Sequence, residues 1–211
     1  MRGHPTRRWF GLRAGMPSAC VPSKPPTEYF KFLLRAGRAV LYPVYKGTFE
    51  RRIEGAAGPN ATRDRTVQFV KDAFRSVDFL ESRPDIQKSG VAYYGLSSGA
   101  TLGTLILALE PRFKAGILIG GGMAGDNVIP EMDLLNFAPR VVAPTLMLNG
   151  RYDFVYPPGG SQLPLFGLLG TPEGQKRHVQ FDSGHMPPIQ DVMREILDWL
   201  ARNLGPVEIR Q

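Results

Sequence analysis

Residues 91–103 read V-A-Y-Y-G-L-S-S-G-A-T-L-G, an apolar run that ends at a serine with a glycine two residues to each side. The pattern predicts a buried strand over 90–95 and a helix over 99–109, which places Ser97 in the turn between them. Of the two adjacent serines, Ser97 alone has both flanking glycines. A strand, a Gly-x-Ser-x-Gly turn and a helix in this order favour a nucleophile at Ser97. A small residue in a tight turn is the alternative interpretation.

Helical and strand-like periodicities alternate on both sides of this turn. The clearest helix is predicted over 61–82, because its apolar side chains recur every three or four residues and Pro84 follows. Further helices are predicted over 27–38 and 187–203, a loosely helical stretch over 160–169, and strands over 38–45, 115–120, 144–149 and 177–182. This alternation predicts an α/β fold with a mainly parallel, doubly wound sheet that helices cover on both faces.

Two further polar residues follow predicted strands. Asp153 lies four residues past the strand that ends at 149, and His185 follows the strand over 177–182. The carboxyl ends of parallel strands meet at one edge of a sheet, so both residues are expected near Ser97. Asp182 competes with Asp153 for the role of the acid and is alternatively a turn residue. The histidines His4 and His178 are less suited than His185, because they lie in the N-terminal segment and within a strand.

These residue types form one chemical unit. A serine hydroxyl becomes a strong nucleophile when an imidazole takes its proton, and a carboxylate orients that imidazole and stabilises the cation that forms. Gly95 and Gly99 remove side chains that would collide at a strand-to-helix turn. The backbone N–H of Ser98, at the start of the helix, is expected to point toward a tetrahedral oxyanion.

The bulk composition narrows the class of protein. A chain of 211 residues that is 43% hydrophobic predicts one domain with a substantial core. The net charge is +7, but residues 1–26 hold five basic residues and no acid, so the rest of the chain carries only a small excess. Because a nucleic-acid-binding domain would concentrate its charge on a folded surface, we expect no nucleic acid partner. The single Cys20 and three scattered histidines predict neither an intrachain disulfide nor a metal site.

Residues 1–26 are predicted to be an irregular basic arm, and residues 27–211 a single domain. The stretch T-R-R-W-F-G-L (6–12) resembles a twin-arginine export signal, and P-S-A-C (17–20) loosely resembles a lipoprotein processing box. The apolar stretch between them is too short and contains Arg13, so a cytoplasmic protein is expected, with export as the alternative. No stretch approaches the roughly 18 apolar residues of a membrane-spanning helix.

Five segments together resemble the α/β-hydrolase superfamily, in particular bacterial hydrolases grouped with dienelactone-hydrolase-like and prolyl-oligopeptidase-like proteins. They are R-A-V-L-Y-P-V-Y-K-G-T (38–48), Y-Y-G-L-S-S-G-A (93–100), L-A-L-E-P-R-F-K-A (107–115), L-M-L-N-G-R-Y-D (146–153) and F-D-S-G-H-M-P-P (181–188). The resemblance covers about residues 27–206. It implies Ser97 as nucleophile, Asp153 as acid and His185 as base, with Ser98 supplying one oxyanion N–H. Dienelactone hydrolases proper carry cysteine where Ser97 stands, which favours a serine esterase.

The resemblance also implies a strand before the first helix, lying between the strands at 38–45 and 90–95 and followed by a Gly-containing oxyanion loop. Nothing in residues 1–26 matches that loop. We hypothesise that residues 8–13 fill the strand position and place Gly15 and Met16 near the oxyanion. Without a second oxyanion donor, turnover would fall roughly 10²–10³-fold.

The insert between Gly120 and Val142 is too short for a multi-helix cap, so the site is expected to be shallow and open. Candidate walls, each with plain packing as the alternative, are Tyr45, Met123, Phe154, Tyr156 and Met186. No cationic cluster is expected near the triad, so the favoured substrates are short, neutral esters, hydrolysed without a cofactor.

The sequence therefore predicts a serine carboxylesterase that acts on a small-molecule ester through an acyl-enzyme. A lactone hydrolase with the same triad is one alternative, and a weakly active or non-catalytic binding or regulatory module is another. A homo-oligomer is compatible with the sequence.

Overall fold

The computed structural model describes residues 27–51, 58, 60–123, 125 and 128–207, together with the backbone of residues 7–10. The strands in these residues are β1 (Arg7–Phe10), β2 (Ala39–Val40), β3 (Ile86–Gln87), β4 (Ala92–Leu96), β5 (Ala115–Ile119), β6 (Thr145–Gly150) and β7 (Lys176–Phe181). The α-helices are α1 (Lys31–Arg35), α2 (Ala61–Ser82), α3 (Ser98–Leu109), α4 (Leu134–Phe137), α5 (Leu163–Leu168) and α6 (Ile189–Leu204).

The strand pairs of the described residues are parallel. Four strands form a sheet in the order β4-β5-β6-β7, and three form a sheet in the order β2-β1-β3. A 3-10 turn at Lys88–Gly90 joins β3 to β4, and β1 also contacts β4. Because parallel neighbours need crossover connections, helices separate the strands. The predicted α/β architecture is confirmed.

Helices cover both faces of the sheet. One core cluster joins α2, α3 and α5 to one face, through residues such as Val77, Ile106 and Leu165. The second joins α1 and α6 to the other face, through Leu33 and Ile196 among others. Strands β4, β5 and β6 are buried along their whole length, which explains why their sequences are continuous apolar runs. The sheet is therefore doubly wound, as predicted.

The N-terminal segment contributes a strand in the hypothesised position. In β1, Trp9 and Phe10 pair with Ala39 and Val40 of β2, and the first two residues pair with β3. The segment is therefore not irregular throughout. The remainder of the hypothesised range, together with Gly15 and Met16, lies outside the described residues, and the domain boundary at 26 stays a prediction.

Three predicted elements differ from the structure. The helix predicted over 27–38 is divided into a 3-10 turn, Thr27–Tyr29, and the shorter α1. The strand predicted over 38–45 is only two residues long, because Pro43 has no N–H for a ladder and the described β1 ends opposite Val40. In α2, the predicted helical periodicity places Val67 on the buried face, but Val67 is 43% exposed. A helix of 22 residues is roughly 33 Å long, whereas a six-residue strand spans roughly 20 Å, so the first turns of α2 extend beyond the sheet.

The insert after β5 packs onto the body of the molecule. Its short helix α4 buries Leu134, and the following 3-10 turn, Ala138–Arg140, buries Ala138, both against the cluster that contains α3. Within the described part of the insert there is no large cap over the carboxyl end of the sheet, as predicted.

Candidate active site

Ser97 occupies the turn between β4 and α3 with a backbone φ of 51°. Non-glycine residues rarely adopt this left-handed region, and Phe49 is the other one among the described residues that does. A Cβ on Gly95 would collide with the carbonyl oxygen of Gly99, so the close turn requires glycine there. The Ser97 N–H donates to the carbonyl oxygen of Ile119 at 2.7 Å. The surrounding structure therefore holds a strained turn that projects the serine side chain from the sheet.

Ser97, His185 and Asp153 lie in one hydrogen-bonded line. Ser97 Oγ is 2.8 Å from His185 Nε2, and His185 Nδ1 is 2.9 Å from Asp153 Oδ2. Both distances fall within the range that proton transfer and imidazole orientation require. A proton on Nδ1, facing the carboxylate, leaves Nε2 able to accept the proton of the serine hydroxyl. The three loops after β4, β6 and β7 thus meet at one point, as the strand order predicts.

The carboxylate of Asp153 is fully buried, with 0% of its side chain exposed, while the His185 side chain is 19% exposed. The second carboxylate oxygen of Asp153, Oδ1, accepts hydrogen bonds from the backbone N–H groups of Val155 at 2.8 Å and Tyr156 at 3.0 Å. These donors stabilise a charge that burial alone would disfavour. Because they occupy Oδ1, Oδ2 is the oxygen that faces His185.

The loops that carry Asp153 and His185 are joined directly. The Tyr152 N–H donates to the carbonyl oxygen of Ser183 at 2.9 Å. A Cβ on Gly150 would collide with the carbonyl oxygen of Gly184, so this approach requires glycine at 150. A Cβ on Gly120, whose φ is 59°, would lie 2.7 Å from the carbonyl oxygen of His185. The loop after β5 therefore packs closely on the loop of the base as well.

The competing residues lie elsewhere. Asp182 has 71% of its side chain exposed and forms an ion pair with Arg151 at 2.9 Å, so it is a surface turn acid. His178 lies on β7, and its ring packs 5.5 Å from the ring of Phe166. Burial lowers the pKa of His178 below its usual value. Neither residue contacts Ser97, and the geometry favours Asp153 and His185.

The five candidate wall residues divide into two groups. Tyr45 is 1% exposed and packs 5.0 Å from the ring of Phe69, so the structure places it in the core, because its side chain fills the space under α2. The others are half-buried or exposed at the carboxyl end of the sheet. Of these, the Tyr156 ring lies 5.8 Å from the His185 ring, and Phe154 is 83% exposed. Met123 and Met186, both half-buried, complete this group.

Sequence reasoning missed a side chain that supports residues 150–156, the loop that carries Asp153 and is called the acid loop below. Gln162 is 0% exposed, and its amide donates to two backbone carbonyl groups of that loop. Nothing in the local sequence marks it, because a glutamine is ordinarily a surface residue. Ser98 is the first residue of α3, where a helix presents backbone N–H groups, and its role toward an oxyanion stays a prediction.

Among the described residues there is neither a candidate metal site nor a helix that could cross a membrane. No group of three or more His, Cys, Asp or Glu side chains among them is arranged to hold a metal ion. None of their helices combines the length and the apolar character needed to span a bilayer.

Comparison with known proteins finds similarity to solved structures of esterases and of another hydrolase. No protein-family model and no curated protein sequence matches the chain. An esterase described as cold-adapted, from an Arctic intertidal metagenomic library, is 25% identical with a TM-score of 0.76, over 95% of this chain and 84% of its own. Acetyl xylan esterase from Paenibacillus sp. R4 is 19% identical with a TM-score of 0.72, over 97% and 77% of the two chains. The 2,6-dihydroxy-pseudo-oxynicotine hydrolase is 19% identical with a TM-score of 0.73, over 96% and 62%.

The sheet order, the turn at Ser97 and these structural likenesses define an α/β-hydrolase fold. The chain therefore shares the fold of the α/β-hydrolase superfamily, to which these solved structures belong. The likeness to the esterase of 25% identity supports a hydrolase.

Proposed function

We propose that the protein is a serine carboxylesterase that hydrolyses short-chain, neutral esters through an acyl-enzyme. Ser97 is the nucleophile, His185 the general base and acid, and Asp153 the orienting carboxylate. The observation that carries this proposal is the line of two contacts, 2.8 Å from Ser97 Oγ to His185 Nε2 and 2.9 Å from His185 Nδ1 to Asp153 Oδ2.

The reaction follows from this arrangement. His185 Nε2 takes the hydroxyl proton as Ser97 Oγ attacks the ester carbonyl carbon, and the resulting imidazolium is stabilised by the Asp153 carboxylate. His185 then donates that proton to the departing alcohol, which leaves the acyl group on Ser97. A water molecule, deprotonated by the same imidazole, attacks the acyl-enzyme and releases the acid.

The oxyanion requires donors of its own. The backbone N–H of Ser98 is proposed as one, because the first N–H groups of a helix are oriented toward an adjacent anion. The second donor, proposed near Gly15 and Met16, lies outside the described residues.

Several features support small, uncharged substrates. The described insert leaves the carboxyl end of the sheet without a large cap, and Phe154, Tyr156, Met123 and Met186 offer apolar surface around the triad. The nearest cation on the acid loop, Arg151, is paired with Asp182, which favours a neutral acyl group. Two of the structural neighbours are described as an esterase and an acetyl xylan esterase. A lactone is a cyclic ester and would use the same residues, so lactone hydrolysis is retained as a second candidate.

The deciding experiment is covalent labelling with a fluorophosphonate, followed by mass spectrometry of the labelled peptide. We expect the label on Ser97, and no label in Ser97→Ala. Ser98→Ala separates the two adjacent serines, because it removes a hydroxyl and keeps the backbone N–H, and it should still be labelled at Ser97. Absence of labelling in the wild-type protein would support the binding or regulatory module instead.

Turnover of p-nitrophenyl acetate, butyrate and octanoate tests the proposed chain length. We expect kcat/KM to be highest for the two short esters. Parallel assays with five- and six-membered lactones distinguish the two hydrolytic candidates, since a lactonase would favour the rings.

A further inference from the structure

A single buried side chain bridges the two ends of the acid loop. Gln162 ends the π-helical turn Pro158–Gln162, which follows the loop. Its Nε2 donates to the carbonyl oxygen of Gly150 at 2.9 Å and to that of Tyr156 at 2.8 Å. Asp153 lies between these two carbonyl groups in sequence. One primary amide therefore binds both the first and the last residue of the loop that carries Asp153.

The orientation of this amide is determined by its surroundings. Gln162 Oε1 accepts a hydrogen bond from Gln180 Nε2 at 3.1 Å. Rotation of the amide by 180° would place its oxygen against two carbonyl oxygens, which is unfavourable, so both N–H groups must face the loop. Gln180 lies on β7, the strand that leads to His185. The bridge thus connects the acid loop to the strand that precedes the base.

We propose that Gln162 is a positioning residue for Asp153, a proposal that rests on the serine hydrolase function above. Its bond to the Tyr156 carbonyl oxygen fixes Tyr156, whose N–H in turn donates to Asp153 Oδ1. With Oδ1 held in this way, Oδ2 faces His185 Nδ1. Loss of the bridge allows the loop to shift, and the carboxylate then orients the imidazole less well. Gln162 contacts no reacting atom and acts only through this loop.

The first variant is Gln162→Met, which keeps the length of the side chain and removes both donors. A misplacement of about 1 Å at a catalytic group lowers turnover by about 10²-fold, so we expect kcat for p-nitrophenyl acetate to fall about 10- to 10²-fold. The change in KM should be smaller than the change in kcat, because the wall residues Met123 and Met186 lie outside this loop. The rate of labelling by the fluorophosphonate should fall in proportion to kcat.

The matched control is Thr171→Val. The Thr171 hydroxyl is also buried, and its Oγ1 lies 2.9 Å from the carbonyl oxygens of both Val141 and Ala143, before β6 begins. This variant likewise removes a buried side-chain bridge between backbone carbonyl groups, but far from the acid loop. We expect a lower Tm with kcat unchanged. The comparison separates positioning from a general loss of stability.

Gln162→Glu supplies a pH signature. A protonated carboxyl can donate one hydrogen bond to the loop, whereas an ionised carboxylate presents negative charge to two carbonyl oxygens and lies near Asp153. The kcat of Gln162→Glu relative to wild type should therefore be higher at acid pH and fall as the pH rises. A residue needed only for folding would not give this ratio at temperatures where both proteins remain folded.

The outcomes are separable. An inactive, unlabelled wild-type protein overturns the proposed function itself. An active wild type together with a folded Gln162→Met whose kcat is unchanged overturns the positioning role, and so does a loss of kcat in Thr171→Val equal to that in Gln162→Met. Should Gln162→Met not fold, Gln180→Met decides, since it removes only the donor that orients the Gln162 amide. That variant is expected to lower kcat about threefold or more, and an unchanged kcat contradicts the proposal.

Discussion

At the carboxyl end of the sheet, the buried carboxylate of Asp153 accepts hydrogen bonds from two backbone N–H groups and faces His185. At the amino end, the buried carboxylate of Glu110 faces Arg112, whose guanidinium also binds Asp78 and Glu81 at the end of α2. Both ends therefore bury a carboxylate. At the first end its partner is an imidazole that contacts Ser97, the proposed nucleophile, whereas at the second the partner is a permanent cation that joins two helices.

This difference separates function from stability. Glycines at the carboxyl end allow loops to approach within van der Waals distance, so small displacements there reach the reacting groups. The charge cluster at the amino end fixes α2 to the start of β5 and contacts no residue of the triad. Substitutions at the carboxyl end should therefore change kcat, and substitutions at the amino end should change the free energy of unfolding.

Asp153→Asn should have the largest effect. The amide preserves the shape of the side chain but favours the wrong tautomer of His185, and we expect kcat to fall about 10⁴-fold. Asp182→Asn is the matched control, because Asp182 is the exposed acid of the neighbouring loop, and it should retain wild-type kcat. Steady-state hydrolysis of p-nitrophenyl acetate measures both. Equal losses in the two variants would reverse the assignment of the acid.

Gly150→Ala tests the close contact between the loops of the acid and the base. The added Cβ would collide with the backbone of Gly184, so one loop must move, and we expect kcat to fall about 10²-fold. Gly174→Ala serves as the control, since a Cβ there meets no atom within 4 Å. A wild-type kcat in Gly150→Ala would show that the loops can separate without affecting the triad.

Arg112→Met tests the amino end. It leaves the buried Glu110 without its counter-charge, and we expect the free energy of unfolding to fall by about 2 kcal/mol with kcat unchanged. Arg83→Met removes an exposed pair with Asp85 and should change the free energy of unfolding far less than Arg112→Met does. Urea unfolding measures both differences. A large loss of kcat in folded Arg112→Met would contradict the division between the two ends.

Much of the fold follows from local sequence pattern. The helix over 61–82 agrees with the structure at both ends, and the strands at β4 to β7 agree within two residues, because buried parallel strands are short apolar runs between helices. The structure departs from the prediction in the short β2 and in the exposure of Val67. Both depend on how far neighbouring elements extend, and the periodicity of a sequence does not encode that length.

The candidate site was predictable to the extent that its residues follow strands. Ser97, Asp153 and His185 each lie just after a strand of known direction, so topology alone brings them together. Gln162 and the approach of Gly150 to Gly184 depend on contacts between loops, for which a single sequence carries no periodic signal. Tyr45 shows the opposite case, in which a residue near a strand end turns into the core.

The smallest expected effect concerns His178, which lies midway along β7 between the two ends. Burial lowers the pKa of His178 below its usual value of about 6.5, so the unfolded chain binds a proton there before the folded chain does. The resulting stability is fully present above about pH 6.5 and is lost as the pH falls through the lower pKa of the folded state. The ring is partly exposed, so the loss should be smaller than the loss expected for Arg112→Met. His178→Phe should lack this part of the acid sensitivity, as measured by urea unfolding at about pH 7.5 and 5.5, with kcat at the higher pH unchanged. If wild type and variant lose the same free energy of unfolding between the two pH values, the acid sensitivity arises from other groups and not from His178.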